Sequence, residues 1–187
     1  MLFGLNPPAT SAAATRAEVM MRRSIIFHFS AVLVVCSAVF AQDAPQNTMA
    51  SCTYQDGTAL TVRYSDANPG RKHDLQNGKV WSPGEVPMLL FTESPVKVAG
   101  VELGVGAYSM YVIPDKGKWT LIINKSIAQG ATYDEKQDLA RTPMTTAQLP
   151  AVIEQPHVSF GHIAPKVCSL RVDFGKTGAW ADAFMQK

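Results

Sequence analysis

The sequence predicts an all-β domain, a β-sandwich or a jelly-roll-like barrel with at most one short helix. Three observations carry that prediction. Short stretches of alternating or β-branched residues recur along the chain, turn residues such as Asp-Gly, Ala-Gly and Pro-Gly separate them, and helical signals are scarce.

In order, the strands are expected at residues 51–54, 59–64, 87–92, 96–98, 108–113, 119–124, 157–160 and 167–174. Asp56-Gly57 has the composition of a type I′ hairpin turn, in which both positions take positive φ, and Asp115-Lys116-Gly117-Lys118 joins its two strands in the same way. Pro114 ends the strand before it, because proline cannot donate to a ladder. Ala99-Gly100 is a third turn. The one short helical turn is expected at Ala147-Gln148-Leu149, capped by Thr145 or Thr146 and stopped by Pro150. Residues 65–77 (SDANPGRKHDLQN) form the longest open loop, and loops held on a rigid sheet are where function concentrates. The C-terminal stretch 175–187 reads as looser chain, with Trp180 the tryptophan most open to solvent.

Composition bounds the class. The chain has 187 residues, 47% hydrophobic and 17% charged, which excludes a collagen, a coiled coil and a wholly disordered tail. Of 17 basic and 15 acidic residues, Arg16, Arg22, Arg23 and Glu18 precede Gln42, leaving 14 of each sign after it. A neutral domain offers no electrostatic case for nucleic acid.

Residues 21–41 read MRRSIIFHFSAVLVVCSAVFA: two arginines, an apolar run from Ile25, then Val39 and Ala41 at the positions a signal peptidase reads. Residues 20–41 are therefore expected to be a secretory signal peptide, cleaved before Gln42, and 42–187 a single β-rich domain, secreted or periplasmic. His28, Ser30 and Ser37 interrupt the run, which falls short of the roughly 20 apolar residues of a spanning helix, so no membrane span is expected after cleavage. Residues 1–19 precede the tandem Met20 and Met21 and read as an upstream extension from a misassigned start. Cys36 goes with the leader. Cys52 and Cys168 remain, and an even count in an oxidising compartment predicts a bond between them. A lipid-anchored Cys52 is disfavoured by the polar residues 42–48 that separate it from the apolar run.

Several ordered blocks carry a family resemblance: Gly78-Lys79-Val80-Trp81, then Gly106 to Pro114 (GAYSMYVIP), then Trp119 to Lys125 (WTLIINK), then Tyr133-Asp134 with Asp138 and Arg141. The chain resembles, over residues 62–174, a secreted bacterial family known as domain of unknown function 2911. The resemblance implies an exported, mostly β domain and assigns no reaction. Two places depart from the family pattern. After the tryptophan, members continue with a polar run like Arg-Thr-Gly-Ala-Asn-Glu where this chain has Ser82-Pro83-Gly84-Glu85-Val86-Pro87, and a Trp-Glu pair is replaced by Phe174-Gly175.

The ligand-binding residues expected are His73, Lys79, Trp81 and Glu85, on the open loop and the segment after it. A metal set is read at His73, His157 and His162, joined by Asp66 or Asp74, a nitrogen and oxygen set that suits zinc. His157 and His162 are five apart, so they share an ion only if Gly161 turns or bulges the strand. Asp134, Glu135 and Asp138 are the alternative, for calcium, although Lys136 among them and the non-EF-hand spacing favour a solvated turn. No cofactor is predicted from any motif. Ser109 lies in a strand rather than a nucleophile elbow, and no glycine-rich loop precedes a helix. Trp81, Trp119, Trp180, Tyr108, Tyr111 and Tyr133 form either a stacking platform for a sugar or aromatic ligand or, the stronger reading, core packing.

These observations converge on an exported, monomeric or weakly self-associating, non-catalytic domain that binds a small molecule, glycan or protein of the cell envelope. The alternative is a metal-assisted hydrolase using the histidines, and a third reading is a structural envelope protein whose strands pair with a partner's edge.

Overall fold

The computed structural model describes residues 47–65, 75–128 and 132–186. Residues 1–41, which the sequence analysis reads as an upstream extension and a signal peptide, and His73 lie outside the described residues.

The chain is all-β. Its strands are β1 (Asn47–Thr53), β2 (Ala59–Ser65), β3 (Met88–Thr92), β4 (Val96–Val98), β5 (Val101–Leu103), β6 (Gly106–Asp115), β7 (Lys118–Asn124), β8 (Asp138–Ala164) and β9 (Val167–Met185). They form one antiparallel sheet in the order β1-β2-β3-β6-β7-β8-β9-β4-β5, with β1 and β5 at its two ends and not paired with each other, so the barrel is not closed. The helical residues described are two short 3-10 turns, Pro83–Glu85 and Glu135–Gln137.

Strand β8 is what brings two parts of the sheet round a common interior. Its first residues pair with β7 as far as Trp119 opposite Met144, and from Thr145 opposite Trp180 its partner is β9. A single core cluster draws on both parts: Leu60, Val62, Leu90, Met110, Val112, Leu121 and Ile123 from one, Val96, Val98, Leu170, Val172 and Ala181 from the other. Period-two alternation puts them inside, as in β3, where Met88, Leu90 and Thr92 are buried and the residues between are not. The Cys52–Cys168 disulfide joins β1 to β9 across 116 residues, tying the first strand to the last.

Several local expectations are corrected. The first hairpin is not a two-residue type I′ turn: Tyr54 N–H donates to Thr58 O at 2.9 Å and Gly57 N–H to Tyr54 O at 3.0 Å, and of the pair only Gly57 is left-handed. That is a three-residue loop ending in a left-handed glycine. Lys116 likewise keeps negative φ beside a left-handed Gly117. The two-residue hairpin turn with both residues left-handed is Ala99-Gly100, at φ 45° and 90°, between Val98 and Val101.

Pro114 does not end β6; it pairs with Trp119 inside the strand. Its carbonyl points away from β7, to Gly78 N–H at 2.7 Å, so its missing N–H is on the side that the β7 ladder does not use. The helical turn after Thr146 is absent, because Thr145, Thr146, Ala147 and Gln148 pair in register with β9, and tertiary pairing overrides a weak cap signal. Pro150 falls in the stretch between Gln148 and Ile153, where the register with β9 shifts. The C-terminal stretch is not loose either: β9 continues to Met185 and pairs there with Val96 of β4.

Candidate functional site

Strand β3 covers the edge of β6 only as far as Met88 opposite Met110. Beyond it, the segment 76–87 takes over that edge. Trp81 N–H donates to Val112 O at 2.7 Å, Val112 N–H returns a bond to Trp81 O at 2.8 Å, and Gly78 N–H meets Pro114 O. Paired strand edges are rigid compared with free loops, so this segment is set in place rather than left to sample. The Trp81 ring is fixed as well, stacked on Phe174 with centroids 5.5 Å apart and packed edge-on to Trp119 at 6.4 Å.

After Trp81 the backbone turns sharply. Pro83 opens the 3-10 turn, and Gly84 and Glu85 then both adopt left-handed φ, 64° and 61°. A methyl group on Gly84 would lie 2.9 Å from the Ser65 carbonyl oxygen, so glycine is required there on two counts. Glu85 has no such exemption and holds a conformation that costs a side-chain-bearing residue free energy.

The opposite wall comes from the loop between β7 and β8. Tyr133 donates to Asp138 Oδ2 at 2.5 Å and accepts from Arg141 Nη2 at 2.7 Å. Arg141 Nε also donates to Asp138 Oδ2 at 2.9 Å, and the same Nη2 pairs with Glu135 at 2.9 Å. Asn124 holds the second oxygen of Asp138 at 2.8 Å and the Asp134 carbonyl at 2.9 Å. The network docks the loop on the outer face of β6 and β7, where Tyr111 and Ile122, directly opposite each other, are buried apart from the main core. The Tyr133 ring meets the Tyr111 ring edge to face at 4.9 Å. Burial, then the hydrogen bond to Asp138, pushes the Tyr133 hydroxyl up to about 12, with Arg141 partly opposing. Tyr111 is raised by burial and by the Asp138 charge.

Between these walls lies a cleft of about 530 Å³, lined among others by Lys79, Trp81, Glu85, Tyr111 and Tyr133. Three of the four expected ligand-binding residues, Lys79, Trp81 and Glu85, therefore meet at one place; the fourth, His73, lies outside the described residues, as do Asp66 and Asp74.

The other expected sites are placed differently. His157 and His162 are both exposed on β8, opposite Asp173 and Cys168, and the register runs unbroken through Gly161. At about 3.4 Å per residue they stand some 17 Å apart on opposite faces, so the turn at Gly161 that a shared ion requires is not formed. Asp134, Glu135 and Asp138 are engaged by Lys136 N–H, Arg141, Tyr133 and Asn124, and no group of three or more metal-ligating side chains occurs among the described residues. The Ser109 hydroxyl is buried and donates to the Ser126 carbonyl.

The six aromatic residues separate cleanly. Trp119 is core, Tyr108 donates to the Gly104 carbonyl, and Trp180 lies in a separate depression beside Ile163 and Arg171. Trp81, Tyr111 and Tyr133 share the cleft. Sequence reasoning missed the pairing of Tyr111 with Tyr133 and the role of Asn124. The signal was Tyr111 itself, a polar-tipped residue between the apolar Met110 and Val112 of β6.

Among the described residues, no helix is long and apolar enough to cross a membrane. No curated protein and no solved structure matches the chain. A family described as "Protein of unknown function (DUF2911)" matches residues 44–181.

Proposed function

We propose that this chain, which belongs to the DUF2911 family, is an exported, non-catalytic β domain that binds a small polar molecule of the cell envelope in the cleft between Trp81 and Tyr133. The observation that carries the reading is the convergence of Lys79, Trp81 and Glu85 with Tyr111 and Tyr133 on one cleft of about 530 Å³. That volume is in the roughly 300–1,000 Å³ range of small-molecule sites, and apolar rings with a few polar groups are the usual lining. Both walls are held by hydrogen bonds within the domain, so little ordering remains to be done on binding. Export is supported by the arginine-led apolar leader before Gln42 and fits a domain closed by a disulfide.

Binding rather than catalysis is supported by what the nucleophile-bearing residues do. Ser109 is committed to a backbone carbonyl, and Cys52 and Cys168 to each other. The test is native mass spectrometry of the protein purified from the cells that export it, beside its Trp81→Ala and Glu85→Gln variants. The expected result is an added mass that is released on denaturation and missing from both variants. An added mass retained by both correctly folded variants would place the ligand elsewhere and overturn the cleft.

A further inference from the structure

We infer that the cleft takes a saccharide unit, whose neutral oxygen accepts a hydrogen bond from the buried Tyr111 hydroxyl while its apolar face lies on the aromatic wall. The inference rests on the cleft being the binding site and adds the chemical class of ligand.

Tyr111 is only 6% exposed and yet lines the cleft. Among the described residues its hydroxyl has no hydrogen-bond partner, while its ring packs edge to face on Tyr133. Buried hydroxyls are nearly always satisfied, because leaving one unpaired forfeits its hydration with nothing in return. The neighbouring tyrosine makes the contrast plain: the Tyr133 hydroxyl both donates, to Asp138, and accepts, from Arg141. One hydroxyl anchors the wall and the other is left for a ligand.

The surroundings select what that ligand offers. Burial and the Asp138 charge keep the Tyr111 hydroxyl protonated, so it enters as a donor and needs an oxygen acceptor. A neutral oxygen satisfies that donor without placing a second negative charge near the Asp138 carboxylate. A neutral hydroxyl or ring oxygen fits, and a carboxylate or phosphate fits poorly. The remaining lining offers one cation, Lys79, one anion, Glu85, and the neutral groups of Gln76, Ser82 and Thr132. Such a balanced mixture of donors and acceptors beside aromatic rings matches a sugar, which carries hydroxyls around its rim and C–H bonds on its face. A lipid tail or a bare aromatic ring would leave Tyr111 unpaired.

The depression beside Trp180 makes no comparable demand. There Ser169 is bound to Asp182 at 2.7 Å and Arg171 to Asp173 at 2.7 Å, and Trp180 is partly exposed rather than buried.

Isothermal titration calorimetry on protein purified after expression of the full-length chain tests the inference, with D-glucose, N-acetyl-D-glucosamine and the β-linked tetrasaccharide of each as probes, and sodium glutamate as a charged comparison. The expected result is binding of at least one sugar, weakened about fivefold to tenfold by Tyr111→Phe and abolished by Trp81→Ala, while Tyr111→Phe melts no lower than the natural protein. A tetrasaccharide bound more tightly than its monomer identifies a glycan chain; equal affinities identify a free sugar. Binding unchanged by Tyr111→Phe overturns the inference, as does the absence of binding by all four sugars. Glutamate bound by the natural protein and lost in Trp81→Ala, with no sugar bound, would sink the saccharide and leave the cleft standing. A sugar bound equally by all three proteins would remove both.

Discussion

The Trp81 ring lies on the Phe174 ring with centroids 5.5 Å apart and planes 18° from parallel, although 93 positions separate them in the chain. The contact links the wall of the cleft to β9. A change at either is therefore felt by the other.

That contact is expected to appear as a coupling energy. Trp81→Ala removes a large half-buried ring and should cost about 2–4 kcal/mol, with Phe174→Leu costing less. Urea unfolding of the two single variants and the double variant should give a coupling of about 0.5–1.5 kcal/mol, the usual worth of an aromatic pair beyond its buried area. Additivity to within about 0.3 kcal/mol would show that the rings touch without supporting each other.

The turn that presents Glu85 should be intolerant of any side chain at Gly84. Its φ of 64° is left-handed, and a methyl group there would come within 2.9 Å of the Ser65 oxygen. Gly84→Ala is expected to lower stability by about 1–3 kcal/mol and to weaken ligand binding in parallel, since the strand end and the turn shift together. Thermal melting reads the first effect. A variant that melts with the natural protein would mean that the turn relaxes freely.

How much of this was legible depended on whether the signal was local. Strand positions were legible, because two-residue alternation is written in the residues themselves: Leu60, Val62 and Tyr64 of β2 announce their face directly. The type I′ turn was assigned to Asp56-Gly57 from its residue types and is found at Ala99-Gly100, where Ala99 N–H bonds to Asp182 O and Thr142 bonds to the Ala99 carbonyl; contacts from distant strands hold an alanine where composition would not place one. The length of β8 was hidden for the same reason, since Leu149 to Gln155 carry no alternation of burial and are strand only by virtue of their neighbours. Lys79, Trp81 and Glu85 were legible as a polar and aromatic group on one segment. Tyr111 and Tyr133 were not recognised as its opposite wall, because only the chain reversal through β7 brings them together.

The disulfide should supply a large share of the domain's stability. Closing 116 residues restricts the unfolded chain, and loop-closure entropy assigns about 4–5 kcal/mol to a closure of that length. Reduction, or Cys52→Ala with Cys168→Ala, should lower the urea midpoint accordingly, and reduction should add about 2 Da to the mass of the intact protein. Identical midpoints with and without reductant would show that β1 and β9 are held by packing alone.

Alkaline stability is set by the tyrosines. The hydroxyls of Tyr54 and Tyr133 are both pushed up to about 12, Tyr54 by burial and Tyr133 by burial and then its bond to Asp138; Tyr111 is raised as well. In the unfolded chain each titrates near 10. Between those values the unfolded chain gives up protons that the folded chain keeps, so unfolding becomes easier as pH rises; the stability these groups contribute is whole below about pH 10 and is lost on the way to 12. Of the five tyrosines in the chain, these three should therefore stay protonated until the fold fails. Absorbance at the phenolate band, followed alongside circular dichroism from pH 9 to 12.5, should show their ionisation coinciding with unfolding. Tyr133→Phe removes one of the three groups and should make the loss of stability over that interval shallower, even though it also breaks the bond to Asp138 and lowers stability at neutral pH. All five phenols ionising near 10 while the fold persists would mean that the Asp138–Arg141 network does not shield Tyr133 and that the wall of the cleft is open to water.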